Sequence, residues 1–319
     1  MSEEHRHPAY VWWNGKQVRW EDATIHVTEL GWSTVGAVFE GIRAYWNAET
    51  ESLNIFRLRE HLERLEDSMR LVRLRLDYSV EELTEIIVAL LQANDVREDT
   101  YIRPLGYTLE TSGKRFAQVG GESGLLINTH AMPTHLQTGV RTTAKVSSWR
   151  RISEDVMPPR IKNIANYRNG QLASAEAAIN GYDMAILLNM EGKVAEGAGA
   201  CIMMVRDGKL VTPSVTDSIL ESITRTSIME LAQRELGIEV VERTIDRTEL
   251  YIADEVFFCG TAAEITPVIS VDRYVVGNGD QGPVTTELEK RFHDIVRGKD
   301  ERYSSWVTPV GARKAVAAD

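Results

Sequence analysis

Cysteine is nearly absent from the 319 residues: Cys201 and Cys259 are the two that occur, in apolar runs with no Cys-x-x-Cys spacing. A disulfide framework and a thiolate zinc site are therefore not expected, no metal site is expected at all, and a reducing compartment, the cytoplasm, fits. Basic residues are also in deficit, 36 Lys+Arg against 47 Asp+Glu for a net charge of −11. Such a chain cannot neutralise a phosphate backbone, so nucleic acid is excluded as a partner. No apolar run approaches membrane-spanning length, and residues 1–8 are polar with no hydrophobic targeting segment. Repeats and low-complexity blocks are missing too.

What is present is the make-up of an ordinary globular chain, 43% hydrophobic and 26% charged, and 319 residues exceed what one core usually holds. The expected organisation is a small α+β domain over residues 1–130, an interdomain loop over 131–140 marked by Pro133, Gln137 and Thr138, a larger strand-rich domain over 141–311, and a frayed tail over 312–319. A hairpin opens the chain, residues 11–13 and 17–20 around Asn14-Gly15. Strands are predicted at 24–27, 35–45, 53–58, 101–105 and 124–128, the last two flanking a polar loop near 110–123. Between them Leu62, Leu65, Met69 and Val72 line a helical face with His61 and Arg64 on its flank, and a Ser79/Glu82 capping box starts a second helix carrying Leu83, Ile86, Ile87, Leu90 and Leu91. Beyond the loop come a strand at 140–149, an Ala-rich helix at 166–180 stopped by Gly181, hairpins turning at 189–192 and at Asp207-Gly208, and a helix at 224–235 ending at Gly237. A short helix at 246–253, a buried strand at 256–259 and a last helix at 284–296 complete the reading.

Four stretches could carry chemistry. Pro158-Pro159 enforce an extended approach to Lys162, which apolar Ile161 and Ile164 would desolvate toward the neutral, nucleophilic amine, with Tyr167 five residues on. Glu196 precedes Gly197 and Gly199, small enough for a flat ligand to approach the backbone, and a buried carboxylate needs a cation such as a protonated ring nitrogen. Ser222, Ile223 and Thr224 start a helix, an anion site by geometry, and the small residues from Gly260 to Glu264 follow a strand directly. Arg64 could bind the same anion. Taken singly, each has an ordinary explanation: a solvated lysine, an arginine-paired glutamate, a helix cap, a turn, a surface charge.

The order of these segments is more specific. Phe39-Glu40-Gly41-Ile42-Arg43, His61 to Arg64, Tyr101-Ile102-Arg103-Pro104, Ser147-Ser148-Trp149, Lys162 to Tyr167, Glu196-Gly197-Ala198-Gly199, Ile223-Thr224-Arg225 and the run from Gly260 to Pro267 together resemble the branched-chain amino acid aminotransferases of the class IV, fold-type IV group. That resemblance implies an α+β fold of two domains and pyridoxal 5′-phosphate (PLP) as cofactor. It implies that Lys162 forms the Schiff base and shuttles the proton to the substrate α-carbon, that Glu196 faces the pyridine nitrogen and that Tyr167 bonds the phenolic oxygen. By the same resemblance Arg64, Ile223, Thr224 and Thr261 hold the phosphate. Phe39, Gly41, Arg43, Tyr101, Arg103, Thr261 and Ala262 line the substrate pocket, Thr261-Ala262 taking the α-carboxylate and Arg103 the distal carboxylate of 2-oxoglutarate. A homodimer or higher homo-oligomer is implied as well.

The chain departs from the family pattern at Thr34, where a tyrosine is usual, at Ser222 in place of glycine, at Ala200-Cys201, and in the loops at 110–119 and 132–139. Two other readings use the same fold: an (R)-amine or D-amino acid transaminase, and a lyase of the aminodeoxychorismate type. A binding protein without catalysis is disfavoured by the presence of Lys162, Tyr167 and Glu196 together.

Overall fold

A computed structural model describes residues 7–27, 34–109 and 122–311. The loop at 110–119, the tail at 312–319 and most of the polar N-terminus lie outside the described residues. The chain forms two compact units, one of residues 1–134 with 294–319, the other of residues 135–293.

In the first unit, β1 (Tyr10–Trp13) and β2 (Lys16–Arg19) pair with Trp13 opposite Lys16. Asn14 and Gly15 at the bend have φ of 47° and 94°, the left-handed pair that suits the twist of a two-residue hairpin. Residues 24–27 form no strand, contrary to expectation. Both apolar side chains there, Ile25 and Val27, are exposed, so no buried face pins a strand register. The predicted strand at 35–45 is two strands, β3 (Val38–Phe39) and β4 (Ile42–Asn47), interrupted at Glu40-Gly41. Then come β5 (Ser52–Phe56), helices α1 (Leu58–Leu71) and α2 (Val80–Ala93), and strands β6 (Thr100–Thr108) and β7 (Ser123–Ala131).

Along β6 burial alternates: Ile102, Pro104 and Gly106 are buried while Arg103 is exposed. A Cβ on Gly106 would stand 2.7 Å from Met69 Sδ, so α1 lies directly on the buried face. That helix buries Leu62, Leu65 and Met69 as its period predicts, and His61 with them. The Ser79/Glu82 capping box closes in both directions at the start of α2. A proline within a sheet normally removes a ladder bond. Pro104 is tolerated because its neighbour is broken at Glu40-Gly41, where Glu40 N donates instead to Pro104 O at 2.9 Å. The sheet is completed by a closing strand, Val307–Val310, antiparallel to β5. Residues 294–311 therefore belong with the first unit, where the expected division had placed them in the second domain.

The second unit is built on one large mixed sheet. Its strands are β8 (Thr142–Arg150), β9 (Met184–Leu188), β10 (Val194–Gly197), β11 (Cys201–Arg206), β12 (Lys209–Thr212), β13 (Val240–Glu242), β14 (Glu255–Gly260), β15 (Glu264–Val271) and β16 (Tyr274–Val275). The order is β10-β9-β8-β15-β14-β11-β12-β13, with β16 on β15. Its apolar core includes Ile186, Ile202, Met204, Phe258 and Val268. Strand β15, which contains Pro267, is not among the predicted strands. The proline is accommodated just ahead of Val268, where pairing with β8 begins. Helix α3 (Tyr167–Ile179) crosses between parallel β8 and β9, and α4 (Ile223–Leu236) and α5 (Pro283–Val296) follow. The helix expected at 246–253 is a 3-10 segment, Arg247–Ile252.

Candidate active site

Two asparagines set the loop that carries Lys162. Asn166 Nδ2 donates to Pro158 O at 3.1 Å and to Ile161 O at 3.0 Å, and Asn163 Oδ1 accepts from Ala165 N at 2.7 Å. The extended, proline-stiffened approach is thereby tied to the start of α3. Lys162 Nζ then donates to Tyr167 OH at 2.7 Å and lies 5.3 Å from the centre of its ring. Ile164, expected to shield the amine, is 36% exposed, so it does not supply that cover.

Glu196 is presented by a β-bulge: the β10/β9 register shifts between Val194 and Glu196, and such a bulge re-aims the next side chain. The carboxyl is 4% exposed. Its Oε1 pairs with Arg151 Nη2 at 2.7 Å, while Leu220 N donates to Oε2 at 3.2 Å and the Cys201 thiol lies 3.8 Å from that oxygen. Burial pushes the Glu196 carboxyl up, and the Arg151 charge, the Leu220 N–H and the Lys162 charge pull it down without restoring the ordinary value. The carboxylate is thus under-compensated where it sits. A further cation set against it would be stabilised, and a carboxylate has lone pairs beyond those already used.

Small residues hold this arrangement together. Helix α3 buries Gly170, Ala173 and Ala177, a stripe small enough for the helix backbone to approach the sheet. A Cβ on Gly170 would stand 2.0 Å from Ala198 O, and one on Gly197 would stand 2.7 Å from Phe258 Cε1. At Gly199 a Cβ would meet only Tyr167 Cε1, at 3.8 Å. The backbone at Gly199, beside Tyr167, is therefore uncrowded, whereas Gly197 is taken up by packing.

Two backbone features of the same unit suit anions. Ser222 caps α4, its hydroxyl accepting from Arg225 N at 3.2 Å. Because the cap takes the third amide, the N–H groups of Ile223 and Thr224 still lie ahead of the intrahelical ladder. Serine in place of glycine leaves those donors in position. Arg225 anchors the helix instead of meeting an anion. Its Nε donates to Thr212 Oγ1 at 3.1 Å and its Nη2 to Pro213 O at 2.8 Å and Glu242 at 2.6 Å. The second feature is the turn joining β14 to β15, where Gly260 pairs with Glu264 and Thr261, Ala262 and Ala263 form the bend.

The remaining candidates stand in the first unit. Gly41 abuts Tyr101, whose hydroxyl would lie 1.9 Å from a Cβ there. Phe39 is half-buried opposite Leu105, and Arg103 is exposed opposite Asn128. Arg43 is 2% exposed, with Nη2 donating to Met132 O at 2.8 Å and the guanidinium 4.9 Å from the Tyr45 ring centre. Arg64 grips buried Glu40 twice, Nε to Oε1 and Nη2 to Oε2, both at 2.8 Å, and His61 Nδ1 lies 2.7 Å from Oε2. Thr34 lines a cavity of about 340 Å³ with Trp13, Trp20, Ile25, Leu105 and Tyr107. Sequence reading missed Arg151, and it passed over the pairing of Glu40 with Arg64 and the packing role of Gly170. The signals available were the second of two arginines after Ser147-Ser148-Trp149 and a glycine inside an otherwise good helix.

Comparisons with known proteins fall on this geometry. A family model described as amino-transferase class IV matches residues 37–271. A branched-chain-amino-acid aminotransferase of Salmonella typhimurium is 39% identical over 308 residues, 95% of this chain and 98% of that protein. Among solved structures, the branched-chain amino acid aminotransferase of Thermobaculum terrenum in its PLP form is 50% identical with a TM-score of 0.93, covering 96% of this chain and 99% of that one. The branched-chain aminotransferase of the thermophilic archaeon Thermoproteus uzoniensis, solved with norvaline, has a TM-score of 0.88 at 42% identity, covering 95% of this chain and 100% of that one.

Proposed function

The chain belongs to the amino-transferase class IV family, and from that premise we propose that it moves amino groups between branched-chain L-amino acids and 2-oxoglutarate, with Lys162 as the cofactor-bearing and proton-moving amine. It is a fold-type IV, PLP-dependent aminotransferase. When bound, PLP supplies the electron sink that lets an amino group leave one carbon skeleton for another. The observation that carries the assignment is the set of an amine, a phenol 2.7 Å from it and a buried, under-compensated carboxylate within one unit.

Each residue then has a role that its surroundings favour. Lys162 Nζ, oriented by Tyr167, takes a proton from the substrate α-carbon and returns one. Glu196, held by Arg151, keeps a proton on the ring nitrogen. The Ile223 and Thr224 amides with Thr261 hold the phosphate through aligned N–H groups, and the Thr261-Ala262 turn receives the substrate carboxylate. Arg64 as a phosphate ligand, and Phe39, Gly41, Tyr101 and Arg103 as substrate residues, rest on their motifs. Arg43, buried and bonded to Met132 O, we assign to supporting the sheet instead of touching substrate.

Among the described residues no helix is long and apolar enough to cross a membrane, and we take the enzyme to act in the cytoplasm as a homodimer or higher homo-oligomer. Purified holoenzyme is given L-leucine, D-alanine and (R)-1-phenylethylamine in turn, and glutamate formed from 2-oxoglutarate is measured. L-Leucine is expected to be the preferred donor, with (R)-amines at most a side activity admitted by Thr34. Lys162→Ala is expected to lower turnover by about 10³-fold or more. Preference for D-alanine or the amine, or turnover surviving in Lys162→Ala, would overturn the assignment.

A further inference from the structure

His135, the first residue of the second unit, is locked onto the turn that joins β14 to β15. Its backbone N–H donates to Glu264 Oε2 at 2.9 Å and its ring Nδ1 lies 3.1 Å from the same oxygen. Its Nε2 lies 3.1 Å from Thr266 Oγ1, whose hydroxyl donates to Ala263 O at 2.6 Å. The imidazole thus lies between Glu264 and Thr266, both on the β15 side of the turn.

The turn needs such a restraint. Glu264 is fully buried and has φ of 46°, a left-handed backbone that a residue with a Cβ holds only when its surroundings impose it. His135 is itself well anchored. Thr138 Oγ1 donates to His135 O at 2.6 Å, Leu136 is 2% exposed, and Gln137 N donates to Glu289 Oε1 at 2.5 Å. Resting on the reading that Thr261 and Ala262 receive the substrate carboxylate, we propose that His135 is a positioning residue for substrate recognition, clamping Glu264 and Thr266 so that the Thr261-Ala262 amides stay aimed. The connecting segment at 132–139, where the chain departs from the family pattern, thereby gains a role in the site.

The test compares wild-type holoenzyme with His135→Ala and His135→Gln, using 4-methylvaleric acid, a leucine-shaped carboxylate without an amine. Its Kd is measured by titration calorimetry, and amide hydrogen exchange is followed over residues 261–264. Losing the ring contacts to Glu264 and Thr266 is expected to weaken binding about tenfold in His135→Ala and to speed exchange over 261–264. Retained cofactor content and a kcat within about twofold should accompany a raised KM for L-leucine, the pattern of lost uniform binding. His135→Gln, which keeps one donating group, should fall between the two. Equal Kd values for wild type and His135→Ala, or weaker binding without faster exchange over 261–264, would overturn the inference alone. If the wild type bound no 4-methylvaleric acid, the proposed function would fall, and this inference with it.

Discussion

Glu40 places opposing effects in a single carboxyl. Burial pushes it up, but the Arg64 charge, the Arg64 hydrogen bonds and His61 outweigh that and hold it well below the usual carboxylate range. Since the folded value is depressed, the stability it confers is complete above the unfolded carboxyl value of 4.5 and is lost as the pH falls below it. Urea midpoints measured down an acid series should therefore decline for the wild type and decline less for Glu40→Gln. At neutral pH that variant, which leaves partly buried Arg64 and buried His61 facing an uncharged group, should be less stable by about 3 kcal/mol. Glu196 has the opposite sign: its carboxyl is raised, so its contribution is full below 4.5 and is given up as the pH rises through the folded value. Both glutamates stand out in the sequence as members of motifs. Neither partner set is legible there, because Arg64 and Arg151 reach them across the fold.

Among the elements, α3 shows how a poorly amphipathic sequence can still be exacting. Its buried stripe of Gly170, Ala173 and Ala177 has little area to remove from water, so its value lies in close approach. A Cβ at position 170 would meet a backbone oxygen at 2.0 Å, an obstacle that cannot rotate away. Gly170→Ala should therefore cost at least about 2 kcal/mol and, by shifting the helix start at Tyr167, lower turnover. Gly199→Ala, meeting only a ring carbon at 3.8 Å, should stay within about 0.5 kcal/mol of wild type. Thermal and urea unfolding of the two variants checks the contrast. The hairpins at Asn14-Gly15 and Asp207-Gly208 and the Ser79 capping box were readable in advance because their bonds close within a few residues. The break between β3 and β4 was not, since it depends on Pro104 of a strand far along the chain and on Glu40 turning inward.

For the molecule as a whole, the proposed homo-oligomer predicts a mass in solution at least twice that of one chain, measured by light scattering. A single-chain mass with full turnover would remove that part of the proposal. The closing strand Val307–Val310 belongs to the sheet of the first unit, a return that no local pattern announces. What the amino-acid sequence alone determined was what short spacing controls: helix faces, caps, turns, the absence of metal and membrane signatures, and the order of motifs that resembles one enzyme family. What only the tertiary structure decided was which groups face one another: Arg151 on Glu196, Arg64 and His61 on Glu40, His135 on Glu264, and Gly170 against the carbonyl of Ala198. Those pairings follow from strand register and helix packing, and they form only when segments distant in sequence are buried together.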